Sequence, residues 1–351
     1  MMAAVDLRDE AGAKPPHEIL PRDPVVIAIV GYRNAGDIHT CLSALACLTE
    51  KNFIVSICEN GGREAYATLI DALDGLVAMD GVAPPVIDER VDVALAGRLQ
   101  PGGQPVRLYL SAINAGYAGG INISIRQLAR AEEWSGLWIL NPDAQPHPDA
   151  LAALIARSRD GYSIVSSRLV FAATERVQSY GGRWRILMAR GLNIGMNAPR
   201  DAVPDADAIA RTMDYASGAS MFVTRDYIKA VGLLDERYFL YCEEVDWCLR
   251  RGSRRLGYAH EAIVFHAHGT TIGSSADRRE RSKLSVYLDE RNKLLLTRRF
   301  FPVRYPLVVV ATLLLTTQYL KAGAVRNFFV ALSGWWAGVR GEVGFPARLR
   351  S

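Results

Sequence analysis

Residues 24–32, PVVIAIVGY, are an unbroken run of apolar, mostly β-branched residues. A strand that is apolar on both sides needs cover on both sides, which the interior of a helix-flanked parallel sheet supplies. The next segments fit that scheme. DIHTCLSALACL (37–48) has helical apolar spacing, NFIVSICENGG (52–62) is a strand running into a glycine-rich turn, and EAYATLIDAL (64–73) is a short helix. VRLYLS (106–111), GGINISIRQLARAEE (119–133) and GLWIL (136–140) read as strand, helix and strand. NPDAQPHPDALAALIARS (141–158) reads as a turn with a helix behind it, and GYSIVSS (161–167) as a fifth strand. This alternation predicts an α/β fold on a doubly wound sheet. Residues 74–105, with four prolines and five glycines, read as a loop-rich excursion, and residues 168–216 as hairpins or an inserted lobe. Helical spacing returns at 224–232, 243–251 and 280–300, and two apolar helices follow.

A chain of 351 residues can bury a full core, and its formal charge of +4 gives no case for a nucleic-acid partner. The cysteines at 41, 47, 58, 242 and 248 have neither metal nor disulfide spacing, which predicts reduced thiols and a cytosolic setting. Residues 1–23 lack an apolar h-region and read as a flexible arm, not a signal peptide. No stretch is expected to reach the roughly 20 apolar residues that span a bilayer. The nearest is PLVVVATLLLTTQYL (306–320).

Ligands of open α/β sheets bind beyond the carboxyl ends of the strands. Each strand here ends in a polar group: GYRN (31–34), ENGG (59–62), NAGYAGGIN (114–122) and NPD (141–143). Any one of these is an ordinary turn. Four in succession predict a site. The glycine loop lacks Gly-x-Gly-x-x-Gly spacing and follows the third strand, which disfavours a hydride-transferring dinucleotide enzyme. YFLYCEEVDWCLRR (238–251) adds Glu243, Glu244 and Asp246 among aromatic and aliphatic residues. Acids can simply favour a helix start. Carboxylates in an apolar setting also acquire raised pKa values and serve as general bases. Glu243 and Asp246 share one helix face, and Glu244 points about 100° away from Glu243.

The order of VGYRNAGDIHTCLSAL, ICENGG, NAGYAGGIN, LNPDA, YASGASMFVTRDYIKAVGLLDERYFLYCEEVDWCLR, FHAHGTT and DERNKLLL resembles the inverting family-2 nucleotide-sugar glycosyltransferases, especially their rhamnosyltransferase-like branch. The likeness runs from about residue 25 to 300. It implies a GT-A-like doubly wound mixed sheet with a Rossmann-like nucleotide-sugar half (24–143), an acceptor half (144–300) and a C-terminal helical appendage (301–351). Donor contacts then fall on Tyr32, Asn34, Glu59, Asn114, Gly116, Tyr117, Gly120, Asn122, Asn141, Asp143 and Arg291. Glu59 takes the place of the acid that reads the donor's pyrimidine base, where Asp is usual. Asn141-Pro142-Asp143 replaces the family's Asp-x-Asp and keeps its last carboxylate. The resemblance places Mg²⁺ or Mn²⁺ on Asp143 and His266, with His268 as the alternative. Glu244 becomes the base, again where the family has Asp, with Glu243 or Asp246 structural or on the acceptor. Gly218, Ala219 and Trp247 fall on the acceptor side.

The implied partners are a dTDP- or UDP-sugar and a glycan or lipid-linked oligosaccharide, with rhamnose the leading donor sugar by resemblance alone. Galactofuranosyl or other hexosyl transfer is the alternative within the family. A catalytically weak glycan- or nucleotide-binding homologue is a second alternative, motivated by Glu at 59 and 244. A nucleotidyltransferase is disfavoured, because GYRNAGD lacks a basic glycine loop after the first strand. Arg298, Arg299, Arg304 and Lys321 flank the C-terminal apolar helices, and Trp335 and Trp336 suit an interfacial belt. These helices are expected either to touch the inner face of the cell membrane or to form a domain cover or homodimer contact.

Overall fold

The computed structural model describes residues 23–129, 133–267 and 277–346. Its first half runs β1 (Val25–Gly31), α1 (Ala35–Ala46), β2 (Phe53–Glu59), α2 (Arg63–Ala72), β3 (Val77–Met79), β4 (Val91–Leu99), β5 (Gln104–Ser111), α3 (Gly116–Ala129) and β6 (Gly136–Leu140). The second half runs β7 (Ala144–Pro146), α4 (Ala150–Arg159), β8 (Tyr162–Phe171), β9 (Val177–Ser179), β10 (Gly182–Arg185), β11 (Arg190–Asn193), α5 (Ala206–Thr212), β12 (Ser220–Thr224), α6 (Arg225–Val231), α7 (Glu243–Leu249) and β13 (Arg255–His266). Then come α8 (Lys283–Phe300), α9 (Tyr305–Lys321) and α10 (Val325–Arg340).

Among the described residues one mixed sheet holds eleven strands, in the order β3-β4-β5-β2-β1-β6-β12-β8-β13-β7 with β9 on β8. Every residue of β1, β2 and β6 is buried, as their apolar runs require. β1 pairs in parallel with β2 and β6, and β2 with β5, so Gly31 stands opposite Glu59. β12 runs antiparallel between β6 and β8, with Ser220 opposite Leu140. β13 is parallel to β8. The carboxyl ends of β1, β2, β5, β6, β8 and β13 therefore share one edge with the start of β12, and every polar strand end meets there.

Within the sheet one expectation changes, and two strands carry too weak a signal to be read. Residues 74–105 are loop only in part: 80–90 are loop, while β3 and β4 form an antiparallel margin on β5. The prolines at 84, 85, 101 and 105 lie outside β4 and bound it rather than interrupt it. β12 and most of β13 also lack a clear alternating signal. β13 carries a bulge between Ala259 and Ile263, which breaks the period-two pattern along its length.

α8 is largely buried and carries α10 on one side. The approach depends on glycine. A Cβ at Gly334 would collide with the Tyr287 carbonyl, and one at Gly338 would lie 2.8 Å from the Arg291 carbonyl. Gly334→Val is expected to cost about 1–3 kcal/mol by overpacking. Thermal melting checks this, and an unchanged midpoint would show that α10 is not seated on α8 in solution. The segment Pro302–Lys321 is long and apolar enough to cross a membrane by length and composition, which corrects the expectation that no stretch reaches that limit. One of its sides nevertheless packs inside the molecule, through Val308, Thr312, Thr316 and Tyr319.

Candidate active site

At the end of β2, Glu59 is buried. Its Oε1 accepts from the backbone N–H groups of Arg33 (3.1 Å) and Gly61 (2.6 Å), and its Oε2 is buried with no hydrogen-bond partner. Burial pushes its carboxyl up, and the two backbone donors pull partly the other way. Two glycines make room for it. A Cβ at Gly31 would collide with Oε2, and one at Gly61 would stand 2.5 Å from Oε1. The methylene by which Glu exceeds Asp is thus accommodated by bare backbone on both sides. Arg33 presents its N–H from a left-handed conformation (φ 58°), and its guanidinium lies 5.4 Å from the centre of the exposed Tyr32 ring. Asn34 accepts from the Tyr32 N–H (3.0 Å), while its Nδ2 is buried with no partner.

The glycine loop is fastened beside this carboxylate. Asn60 Nδ2 donates to the Gly116 carbonyl (3.0 Å), and Asn114 Oδ1 accepts from the Gly116 N–H (3.0 Å). Gly116 has φ +72°, and a Cβ there would strike the Phe239 carbonyl. A Cβ at Gly120 would come within 2.7 Å of Val30, so α3 starts hard against β1. The Tyr117 hydroxyl donates to the Gly218 carbonyl (2.7 Å) and lies 3.0 Å from Asn141 Oδ1. Ala219 holds Asn141 from the other direction, its carbonyl accepting the Asn141 N–H at 3.0 Å.

Beyond Asn141 lie Asp143 and His266, brought together by the pairing of β7 with β13, in which Ala144 faces His266. Asp143 Oδ1 is 3.1 Å from His266 Nε2, and Asn141 Nδ2 is 3.2 Å from the same nitrogen. His266 Nδ1 lies 3.0 Å from Gln178 Oε1. An amide oxygen only accepts, so this contact calls for a proton on Nδ1, and in the neutral ring Nε2 then has the lone pair that a metal ion would take. Two adjacent ligands of an octahedral ion with bonds of about 2.1 Å are separated by about 3 Å. The Asp143–His266 pair has that spacing and fits a divalent cation. Among the described residues no group of three His, Cys, Asp or Glu side chains forms a cation cage, so other ligands would come from substrate or water.

The acidic cluster follows a turn with unusual backbone. Phe239, Tyr241 and Cys242 have φ of 67°, 71° and 73°, a region that costs a non-glycine residue about 1–3 kcal/mol. The turn is held by its carbonyls. Asn292 Nδ2 donates towards those of Tyr238 (2.9 Å), Leu240 (2.7 Å) and Tyr241 (2.9 Å). The Tyr117 N–H donates to that of Phe239 (2.8 Å). α7 starts from this turn with Glu243 and Glu244 in its first turn. Glu243 is buried and Glu244 is partly exposed, and each has a buried Oε2 without a hydrogen-bond partner. Burial raises both carboxyls. The neighbouring Glu244 charge raises Glu243 further, whereas backbone N–H groups partly hold Glu244 down. A Cβ at Gly218 would touch both the Glu244 side chain and the Tyr117 ring at 3.7 Å. One continuous wall therefore runs from Glu244 through Gly218, Tyr117 and Asn141 to His266 and Asp143. Buried acceptors left unpaired along a wall of this kind mark places where a ligand completes the hydrogen bonding.

In sequence the chain is 24% identical over 247 residues to the low-salt glycan biosynthesis hexosyltransferase Agl10 of Haloferax volcanii, covering 67% of this chain and 76% of that one. It is 30% identical over 187 residues to the N-acetylglucosaminyl-diphospho-decaprenol L-rhamnosyltransferase of Mycobacterium tuberculosis, covering 47% of this chain and 60% of that one. Its structure matches the mannosyltransferase PcManGT of Pyrobaculum calidifontis, solved with GDP-Man and Mn²⁺, at a TM-score of 0.50 and 12% identity over 93% of this chain and 91% of that one. The chain is a glycosyltransferase of GT-A fold. No family model matches it.

Within this GT-A glycosyltransferase, four residues expected at the site have other work in the fold. Asn122 is buried, donates to the Leu234 carbonyl (2.9 Å) and Glu236 (2.8 Å), and accepts from the Leu234 N–H (3.1 Å). Trp247 is fully buried against Tyr227 and donates to the Gly232 carbonyl at 2.9 Å. Asp246 is bound by Arg250 (2.7 Å), Arg299 (2.8 Å) and the Tyr238 hydroxyl (3.0 Å). Arg291 spends its guanidinium on the carbonyls of Tyr238 (2.9 Å) and Gly344 (2.5 Å), and burial lowers it to about 10. Each of these side chains is saturated by protein groups. His268 lies outside the described residues. Sequence reasoning missed the duties of Arg33, Asn60 and Gln178. Arg33 and Asn60 stood inside the strand-end motifs, so their position was a usable signal. Gln178 reaches His266 across 88 residues and carried none.

Proposed function

We propose that this glycosyltransferase moves a sugar, with rhamnose the leading candidate, from a dTDP- or UDP-sugar to a hydroxyl of a glycan or lipid-linked acceptor, with inversion at the anomeric carbon. The observation that carries the reading is the unpaired Oε2 of Glu244 at one end of a continuous wall whose other end is the Asp143–His266 pair. Glu244 accepts the proton of the acceptor hydroxyl while that oxygen bonds to the anomeric carbon. The bond from that carbon to the diphosphate breaks with its electron pair leaving on the nucleoside diphosphate, and attack from the opposite face inverts the centre. Glu59 Oε2 offers one free acceptor, which suits the single imide N–H of thymine or uracil. Asp143 and His266 would hold Mg²⁺ or Mn²⁺, which when bound supplies positive charge against the departing diphosphate. A nitrogen ligand beside a carboxylate favours Mn²⁺ over Mg²⁺. The lipid-linked acceptor is supported by the likeness to the N-acetylglucosaminyl-diphospho-decaprenol L-rhamnosyltransferase of Mycobacterium tuberculosis. The reduced cysteines suit the proposed setting in the cytoplasm, at the inner face of the membrane.

The test is nucleoside diphosphate release from a panel of dTDP- and UDP-sugars, with Mn²⁺ or Mg²⁺ and with chelator, beside Asp143→Ala. Release with one donor is expected, lost on chelation and lowered about 100-fold in the variant. Release indifferent to both would remove the metal from the mechanism. No binding of any pyrimidine donor would remove the nucleotide assignment. Glu59→Ala is expected to raise the donor Kd about tenfold or more while changing kcat little, because the base contact lies far from the bond that breaks. Calorimetry with dTDP or UDP checks this, and an unchanged Kd would place the base elsewhere.

A further inference from the structure

α9 is turned the wrong way round for a helix that meets only water. Its buried side carries Thr312, Thr316 and Tyr319 beside Val308, and both threonine hydroxyls donate to carbonyls of their own helix at 2.7 Å. Its outer side carries Leu307, Val310 and Leu314, which are 59%, 57% and 64% exposed, with Val303 just before it at 94%. At 100° per residue, Leu307, Val310, Leu314 and Lys321 fall along one line. Surface helices of soluble proteins show the reverse arrangement. α10 has a stripe of the same kind in Val325, Phe329 and Trp336, all exposed. Residues 301–346 hold four basic residues (Arg304, Lys321, Arg326 and Arg340) and one acid, Glu342, which pairs with Arg340. Arg304, Lys321 and Arg326 are exposed at helix ends, beside the apolar stripes.

We propose that the outer faces of α9 and α10 seat on an anionic lipid bilayer, with the helices lying along its surface. Apolar side chains enter the acyl boundary, the basic residues meet lipid phosphates, and Trp336 takes the interfacial level. Spanning is disfavoured because the inner side of α9 is packed on α8 and α10. A second copy is disfavoured by charge, since a face-to-face contact would bring together two sets of Arg304, Lys321 and Arg326. The inference deepens the proposed function by placing a lipid-linked acceptor where the enzyme docks, and it stands on its own geometry if that function fails.

The experiment is cosedimentation of the full chain with phosphatidylcholine vesicles and with phosphatidylcholine–phosphatidylglycerol vesicles. Light scattering in the absence of lipid accompanies it. The wild type is expected to pellet with the anionic vesicles and to be released by salt. Leu307→Glu/Leu314→Glu is expected to weaken binding at least tenfold, with unchanged circular dichroism and unchanged nucleoside diphosphate release in lipid-free buffer. Arg304→Gln/Lys321→Gln/Arg326→Gln is expected to weaken it as well. A wild type that stays in the supernatant overturns the proposal. So does a stable dimer that Leu307→Glu/Leu314→Glu converts to monomer. Vesicle binding without release from any sugar donor overturns the proposed function and leaves the docking surface intact.

Discussion

Glu244→Gln is expected to lower kcat by about 10²–10⁴-fold and to leave the donor Kd nearly unchanged, because it removes the proton acceptor and keeps the shape. The same variant is expected to be more stable than the wild type at neutral and alkaline pH. Burial holds the Glu244 carboxyl above its ordinary value in the folded chain. The folded state therefore loses stability as pH rises from the unfolded carboxylate pKa of about 4.3 through the higher folded value. Glutamine carries no such charge and escapes that loss. Melting curves of the two proteins should coincide near pH 4 and separate as pH rises, with the variant higher. The acid limb of the wild-type kcat profile should sit above the ordinary carboxylate range for the same reason. Glu243→Gln should show the stabilisation with a smaller loss of rate, since Glu243 is buried whereas Glu244 is partly exposed to an incoming acceptor. A Glu243→Gln enzyme as inactive as Glu244→Gln would transfer the role of base to the pair. Stability gained by disabling a buried carboxylate is expected where function keeps an unfavourable charge in place.

The sequence made the nucleotide half legible because its signals are local. β1 is apolar throughout, β2 is apolar apart from Ser56 and its terminal Glu59, their helices have clear spacing, and polar residues cluster where the strands end. Parallel pairing then brings Glu59, Tyr117 and Asp143 to one edge without further information. The second half was less legible. β12 is five residues long, and β13 is bulged, so neither shows the alternation that marks a strand. The chemistry of particular side chains was harder still. Arg291, Trp247 and Asp246 look functional as residue types, yet each is consumed by carbonyls or ion pairs that only the tertiary structure supplies. The Glu at position 59, read as a departure from Asp, is matched by the absent side chains of Gly31 and Gly61, one of them 28 residues away in sequence. α9 exposed a limit of composition. The sequence shows an apolar helix with threonines, but only the packing shows that the threonines face inward.

Asn292→Ala should reveal how the base is aimed. The turn from Tyr238 to Cys242 stands in left-handed backbone at three non-glycine positions, and left to itself it would relax. One amide nitrogen of α8 gathers the carbonyls of Tyr238, Leu240 and Tyr241, just before Glu243 and Glu244 begin α7. Removing that nitrogen leaves buried carbonyls short of a donor, at about 1–3 kcal/mol, and frees the turn to shift. A displacement of about 1 Å at a reacting group can lower the rate about 100-fold. The expected result is a kcat reduced about 10- to 100-fold with a much smaller change in donor Kd, since Arg33 still holds Glu59 and Asn60 still holds Gly116, although the Tyr117 N–H bond to Phe239 belongs to the freed turn. A purely structural role would lower the melting temperature and leave kcat per folded molecule intact. Adding Cys242→Gly separates the two further, because glycine adopts φ of 73° without strain. In the Asn292→Ala background it should recover stability. It should not recover rate, because a looser turn aims Glu244 no better. If glycine restores both together, strain alone links Asn292 to activity, and the carbonyl clamp has no part in positioning the base.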